Sequence, residues 1–136
     1  MPIPFKKRSY QALNSRQQES YNFQKVSAVL AEYGVVAIRL SDDWNGADFL
    51  ALDPDGETIR VQLKGRLTFS KSYIGKKLWI AFRVVERWLL FPHDEILEQV
   101  LASTTIGDTE SWRERGGYSF PSIPQNLQAT LSEYQL

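Results

Sequence analysis

The run Asp53-Pro54-Asp55-Gly56 restricts this chain more than any other feature. Proline holds φ at about −65°, which suits the second position of a type I turn, and glycine accepts the left-handed backbone that follows. Alternating segments flank it at 47–53 and 57–65, so a β-hairpin is predicted there. With Pro54, Asp55 and Gly56 as the loop, Asp53 faces Glu57, and counting away from the turn brings Asp48 opposite Gln62. Arg60, Gln62 and Lys64 then share one strand face, while Ile59, Val61 and Leu63 share the other. An acid, an amide and a lysine converge on one polar sheet face.

Around the hairpin the pattern alternates between helix and strand. Ser15 with Gln18 reads as a capping box, Phe23, Val26, Leu30 and Tyr33 recur at helical spacing, and Gly34 supplies a stop, which predicts a helix over 15–33. The β-branched run 35–40 predicts a buried strand, broken at 41–46 by turn formers that include Asp42 and Asp43. Strands follow at 78–84 and 87–91. Pro92-His93-Asp94 opens a second helix with Leu97, Val100 and Leu101 inward, and His93 reads as a helix-start residue. A polar loop leads to a turn and short edge strand at 116–120, and Pro124 starts a last helix carrying Leu127, Leu131 and Tyr134. The order predicts an α/β fold, a mixed sheet with flanking helices, as one domain over residues 1–136.

Composition narrows the function classes. With 43% hydrophobic and 24% charged residues the chain is globular. No apolar run approaches the roughly 20 residues that span a bilayer. The basic start at 1–8 lacks the apolar stretch of a secretory signal. With no cysteine there is no thiolate metal site or thiol nucleophile, and a lone histidine excludes a multi-histidine centre. A cytoplasmic location, with no membrane partner, is expected. The zero net charge hides an asymmetry: residues 1–91 carry 14 Lys/Arg against 9 Asp/Glu, and residues 92–136 carry 2 against 7. Lys64, Arg66, Lys71, Lys76 and Lys77 form a run without any acid, suited to polynucleotide phosphates. Tyr73, Trp44 and Trp112 are candidates for base stacking, although core or rim packing is the ordinary role of lone aromatics.

Asp48, Gln62 and Lys64 are a set that phosphodiester hydrolysis can use. Mg²⁺ prefers oxygen ligands and keeps several waters, so one or two protein oxygens suffice, and a nearby lysine can counter charge on the phosphate. The pattern resembles the PD-(D/E)XK nuclease superfamily, the restriction endonuclease-like enzymes, as a Q-x-K variant. The resemblance is carried by the helix 15–33, the strand 35–40, Gly46-Ala47-Asp48 and Val61-Gln62-Leu63-Lys64. It covers roughly the first two-thirds of the 136 residues. It implies an α-β-β-β-α-β core and a nuclease dependent on Mg²⁺ or Mn²⁺. Asp48, Gln62 and Lys64 would be catalytic, and Asp48, Gln62 and the Leu63 peptide oxygen would be metal ligands. Glu19 is the candidate for the acid that many members carry on the first helix, with Glu32 behind it, and Asp43 lies close enough in sequence to join the metal site. The resemblance further implies DNA before RNA as partner, and a homodimer. Gln62 stands where the family has a second acid. The rival readings are therefore a catalytically inactive nucleic-acid-binding module on this fold, and a partner-binding structural protein using its acidic last third.

Overall fold

The computed structural model describes residues 2–136, with Asp43 through its backbone alone. Helix α1 (Ser15–Ala31) opens on Asn14, whose side chain accepts the Gln17 N–H while Gln17 accepts the Asn14 N–H, both at 2.9 Å. The reciprocal cap predicted at Ser15 and Gln18 thus sits one residue earlier, since asparagine caps as well as serine does. Gln18 instead donates to the Tyr10 carbonyl. Gly34, at φ +73°, stops the chain from continuing as helix, as predicted. Val26 and Leu30 are buried, whereas Tyr33 lies past the last helical turn and is 55% exposed.

Strand β1 (Val36–Trp44) corrects two expectations. It is the edge of its sheet, and Val36 and Ile38 are 59% and 46% exposed, so the 35–40 segment is not a buried strand. The strand also runs through Asp42 and Asp43 to Trp44. The turn itself is only Asn45-Gly46, whose φ values of 53° and 84° suit a two-residue hairpin. A register shift between Arg39 and Trp44 absorbs the additional residues.

Strands β2 (Ala47–Leu52) and β3 (Thr58–Lys64) form the predicted hairpin, with Phe49 opposite Val61 and Leu52 opposite Thr58. The Asp53 N–H donates to the Glu57 carbonyl at 2.7 Å, closing the loop as its residues require. The stretch 66–77, which holds most of the basic run, carries a short strand β4 (Leu67–Ser70) and a 3₁₀ turn (Lys71–Tyr73). It crosses over to β5 (Leu78–Val84), which runs parallel to β3 with Gln62 beside Ile80 and Lys64 beside Phe82. Strand β6 (Arg87–Pro92) returns antiparallel and leads into α2 (His93–Ser103). The 104–115 region, read as polar loop, holds α3 (Glu110–Arg115), capped by Thr109. Six residues with only Trp112 turned inward leave too little periodicity to predict. Strand β7 (Gly117–Phe120) pairs with β4 as a separate ribbon, and α4 (Gln125–Ser132) follows.

The result is an α/β fold: a five-stranded mixed sheet ordered β1-β2-β3-β5-β6 with helices on both faces. On one face, Val26 and Leu30 of α1 pack with Phe49, Val61, Ala81 and Trp88. On the other, Ile80, Phe82, Leu89 and Phe91 meet Ile96, Val100, Leu127 and Leu131 from α2 and α4. Each such fully buried aliphatic or aromatic side chain contributes about 1.5–3 kcal/mol. Leu101, predicted inward, is 39% exposed, and the inward face of α2 is formed by Ile96, Leu97 and Val100. Because Gln62 and Lys64 flank Ile80 and Phe82, the polar face of the hairpin borders this second core without entering it. No helix among the described residues is long and apolar enough to cross a membrane.

Candidate active site

The site begins at the Asn45-Gly46 turn. A side chain on Gly46 would lie 2.7 Å from Leu78 Cδ1 and 3.6 Å from Tyr73 Cδ1, so glycine lets the turn settle on these two residues. Two residues later Asp48 is half-buried, and its Oδ2 accepts the Leu63 N–H at 2.8 Å. The regular pairing ends at Phe49 and Val61, and continued by one step it sets Asp48 opposite Gln62. In an extended strand a residue's N–H and C=O leave on the same edge, so the Leu63 peptide oxygen faces β2, as its N–H does.

Lys64 is half-buried, with Nζ 5.6 Å from the centre of the Tyr73 ring. Tyr73 meets the His93 ring edge-on at 5.3 Å. His93 is fully buried; its Nε2 accepts the Ser70 N–H at 3.1 Å, and its Nδ1 lies 2.8 Å from Asp94 Oδ1. Accepting at Nε2 requires a neutral ring with the proton on Nδ1, donated to Asp94. Burial pushes His93 below its usual pKa despite the Asp94 carboxylate. Asp94 Oδ2 accepts the Gly75 N–H at 2.9 Å. Burial pushes the Asp94 carboxyl up, but the Gly75 N–H and His93 outweigh it and hold it below the usual range. His93 and Asp94 thus clamp the crossover at Ser70 and Gly75, on either side of Tyr73. Sequence reasoning read His93 as a helix-start residue only; its one further signal was the acid directly after it.

The remaining predicted residues divide. Glu19 sits on α1, on the other side of the sheet, with its carboxylate 3.4 Å from the exposed Arg39 guanidinium. It lines one shallow pocket with Tyr10, Asn22, Lys64 and Gly65, so it lies at the same end of the sheet as Lys64. Arg66, Lys71 and Lys77 are exposed and Lys76 half-buried. The Lys71 ammonium lies 5.4 Å from the Trp112 ring, and the Lys76 carbonyl accepts from Arg60 at 3.0 Å. Among the described residues the acid–base pairs within ion-pair distance are Arg39–Glu19 and His93–Asp94, so none neutralises this basic run. Trp112 is buried in the core and unavailable for stacking, while Trp44 is 52% exposed beside the Arg60 guanidinium.

Asp48, Gln62 and the Leu63 carbonyl supply hard oxygen donors, a set whose chemistry suits a cation that keeps most of its waters. Among the described residues no group of three or more His, Cys, Asp or Glu could hold a metal ion. The side chain of Asp43, which the sequence brought near the site, lies outside the described residues.

No protein-family model matches the chain, and no curated protein does. Among solved structures it is similar to Hjc of Archaeoglobus fulgidus, a Holliday junction resolvase from an archaeal hyperthermophile. That match has 15% identity and a TM-score of 0.42, over 51% of this chain and 74% of that one. It is also similar to the bacterial homing endonuclease I-Ssp6803I, with 13% identity and a TM-score of 0.49 over 90% and 88% of the two chains.

Proposed function

We propose that this chain is a Mg²⁺- or Mn²⁺-dependent nuclease of the restriction endonuclease-like type, hydrolysing phosphodiester bonds in DNA. The observation that carries the reading is the Asp48 carboxylate fixed on the Leu63 N–H, on the strand pair that also bears Gln62 and Lys64. Asp48, the Gln62 amide oxygen and the Leu63 peptide oxygen would hold the ion. When bound, a divalent cation polarises a phosphoryl oxygen and lowers the pKa of a coordinated water. The hydrogen bond from the Leu63 N–H orients the Asp48 carboxylate for that role. Lys64, steadied over Tyr73, would offset charge developing on the phosphate. The cations Arg66, Lys71, Lys76 and Lys77 would track the backbone, with Tyr73 beside Lys64. The chain would act in the cytoplasm, and as a homodimer.

One observation favours a second reading. Gln62 brings no charge, and among the described residues no cluster of three acidic or histidine ligands forms. A nucleic-acid-binding module that has lost catalysis would have this composition.

The two are separated by incubating the protein with supercoiled, single-stranded and branched DNA and with RNA, under Mg²⁺, Mn²⁺ or chelator. Divalent-dependent cleavage of a DNA is expected. Salt-dependent binding without cleavage under either metal selects the binding module, and absence of both contradicts either reading.

A further inference from the structure

We propose that segment 2–9 is a phosphate-binding arm that grips duplex DNA on the α1 side of Lys64, opposite the 66–77 crossover. The inference rests on the nucleic-acid reading above and adds a contact surface to it.

Lys6, Lys7 and Arg8 are consecutive cations, and residues 1–18 hold no acid. Every residue from 2 to 9 is exposed, and none of the three cations is within ion-pair distance of an acid among the described residues. Pro2 and Pro4 fix φ and remove two backbone donors, which favours an extended segment. A solvated tail would share these traits. What distinguishes this one is where and how it is rooted.

Directly after the segment, the Tyr10 carbonyl accepts from Gln18 Nε2 at 3.1 Å, and the Tyr10 hydroxyl accepts from Asn22 Nδ2 at 2.9 Å. The Tyr10 ring packs 5.3 Å from Tyr21 and 5.1 Å from the Arg83 guanidinium. These contacts pin the root to α1 and β5. The same Tyr10 lines the pocket whose floor is Leu63, Lys64 and Gly65. Three cations without an acid partner among the described residues therefore leave the fold beside the end of β3, while Arg66 and Lys71 leave it along the crossover. A polynucleotide whose phosphate lies at Lys64 would have basic groups on both flanks. Anchoring matters because an arm that starts at the site loses less freedom on docking than a floating one.

Binding of a labelled duplex by the full chain is measured by anisotropy across KCl concentrations, with chelator present so that nothing is cut. Each neutralised phosphate contributes about 0.9 to the log–log salt slope, so Lys6→Gln/Lys7→Gln/Arg8→Gln should lower it by about 2.7. Tyr10→Leu keeps the cations but frees the root, and should weaken binding at low salt with the slope little changed. Wild-type binding with an unaltered slope in the triple variant overturns the arm and leaves the nuclease reading standing. Unaltered affinity in Tyr10→Leu overturns the anchored geometry. A wild-type chain that binds no duplex at low salt overturns both the arm and the nucleic-acid reading.

Discussion

Asp48 and Leu63 are joined across the hairpin by a 2.8 Å hydrogen bond from backbone N–H to carboxylate. The carboxylate therefore has a structural duty beside any chemical one, and two substitutions divide them. Asp48→Asn keeps an acceptor for the Leu63 N–H and removes the charge, so it should lose less stability than a variant with no acceptor. Asp48→Ala leaves a half-buried donor without its partner, at a cost of about 1–3 kcal/mol. Both should lose Mn²⁺ binding and cleavage. Urea denaturation checks the stabilities and calorimetric titration the metal binding; equal stability losses in the two variants would contradict the acceptor role.

Acid should loosen the crossover through His93. Its folded-state pKa is lowered, by burial first, so the unfolded state takes up a proton at a higher pH than the folded state does. Stability is then fully present above about pH 6.5 and falls as pH drops below it. Asp94, also lowered, acts in the same direction further down, its contribution going as pH falls below about 4. Urea midpoints measured from pH 8 to 4 should decline on the acid side. His93→Phe should flatten the profile between about pH 5 and 7, at the expense of an unpartnered Ser70 N–H. A wild-type midpoint that stays level to pH 5 would count against the clamp.

The central hairpin was legible because its turn chemistry is local: Pro54 and Gly56 fix the register that runs from Leu52 and Thr58 to Phe49 and Val61. The helix at 15–31 and the alternation at 78–84 were legible for the same reason, each being a periodic pattern read within one element. Whether a strand lies at the centre or the edge of a sheet depends on what packs beside it, which is why Val36 and Ile38 were misplaced. Asn45-Gly46 is the strongest two-residue hairpin signal in the chain, yet the acids before it, Asp42 and Asp43, masked it as a longer turn. The His93 clamp was invisible because Ser70 and Gly75 lie in a separate element, brought to His93 and Asp94 only by the crossover. Glu19 illustrates the same limit, since its neighbour Arg39 comes from the edge strand.

The crossover cations should be felt uniformly across sequences. Lys71→Gln with Lys76→Gln should lower the salt slope for duplex binding by about 1.8 if each neutralises a phosphate. The fold should persist, since the hydrogen bonds at both residues are made by backbone atoms and Lys71→Gln removes only an exposed ammonium from over the Trp112 ring. An unchanged slope would return both to an ordinary solvated surface.

Gln62 decides between catalysis and its loss. Glutamate has nearly the same length and adds the charge that a hard cation prefers, whereas methionine has similar volume and no hard oxygen. Calorimetric Mn²⁺ titration should rank Gln62→Glu above wild type and wild type above Gln62→Met. Identical affinities would remove Gln62 from the ligand set. Metal binding by Gln62→Glu alone would favour the module that has lost its catalytic ion.

Lys64→Met separates a catalytic lysine from a structural one. It keeps an apolar stem of similar length on the half-buried strand position and removes the ammonium, which lies 5.6 Å from the Tyr73 ring centre, so folding should be retained. Single-turnover cleavage of a DNA that the wild-type chain cuts with Mn²⁺ is compared at saturating protein, with melting temperature recorded for both chains. A loss of cleavage rate by about 100-fold or more, with melting unchanged, is predicted for a lysine that stabilises the transition-state charge. Cleavage by a folded Lys64→Met chain at the wild-type rate would remove Lys64 from the catalytic site.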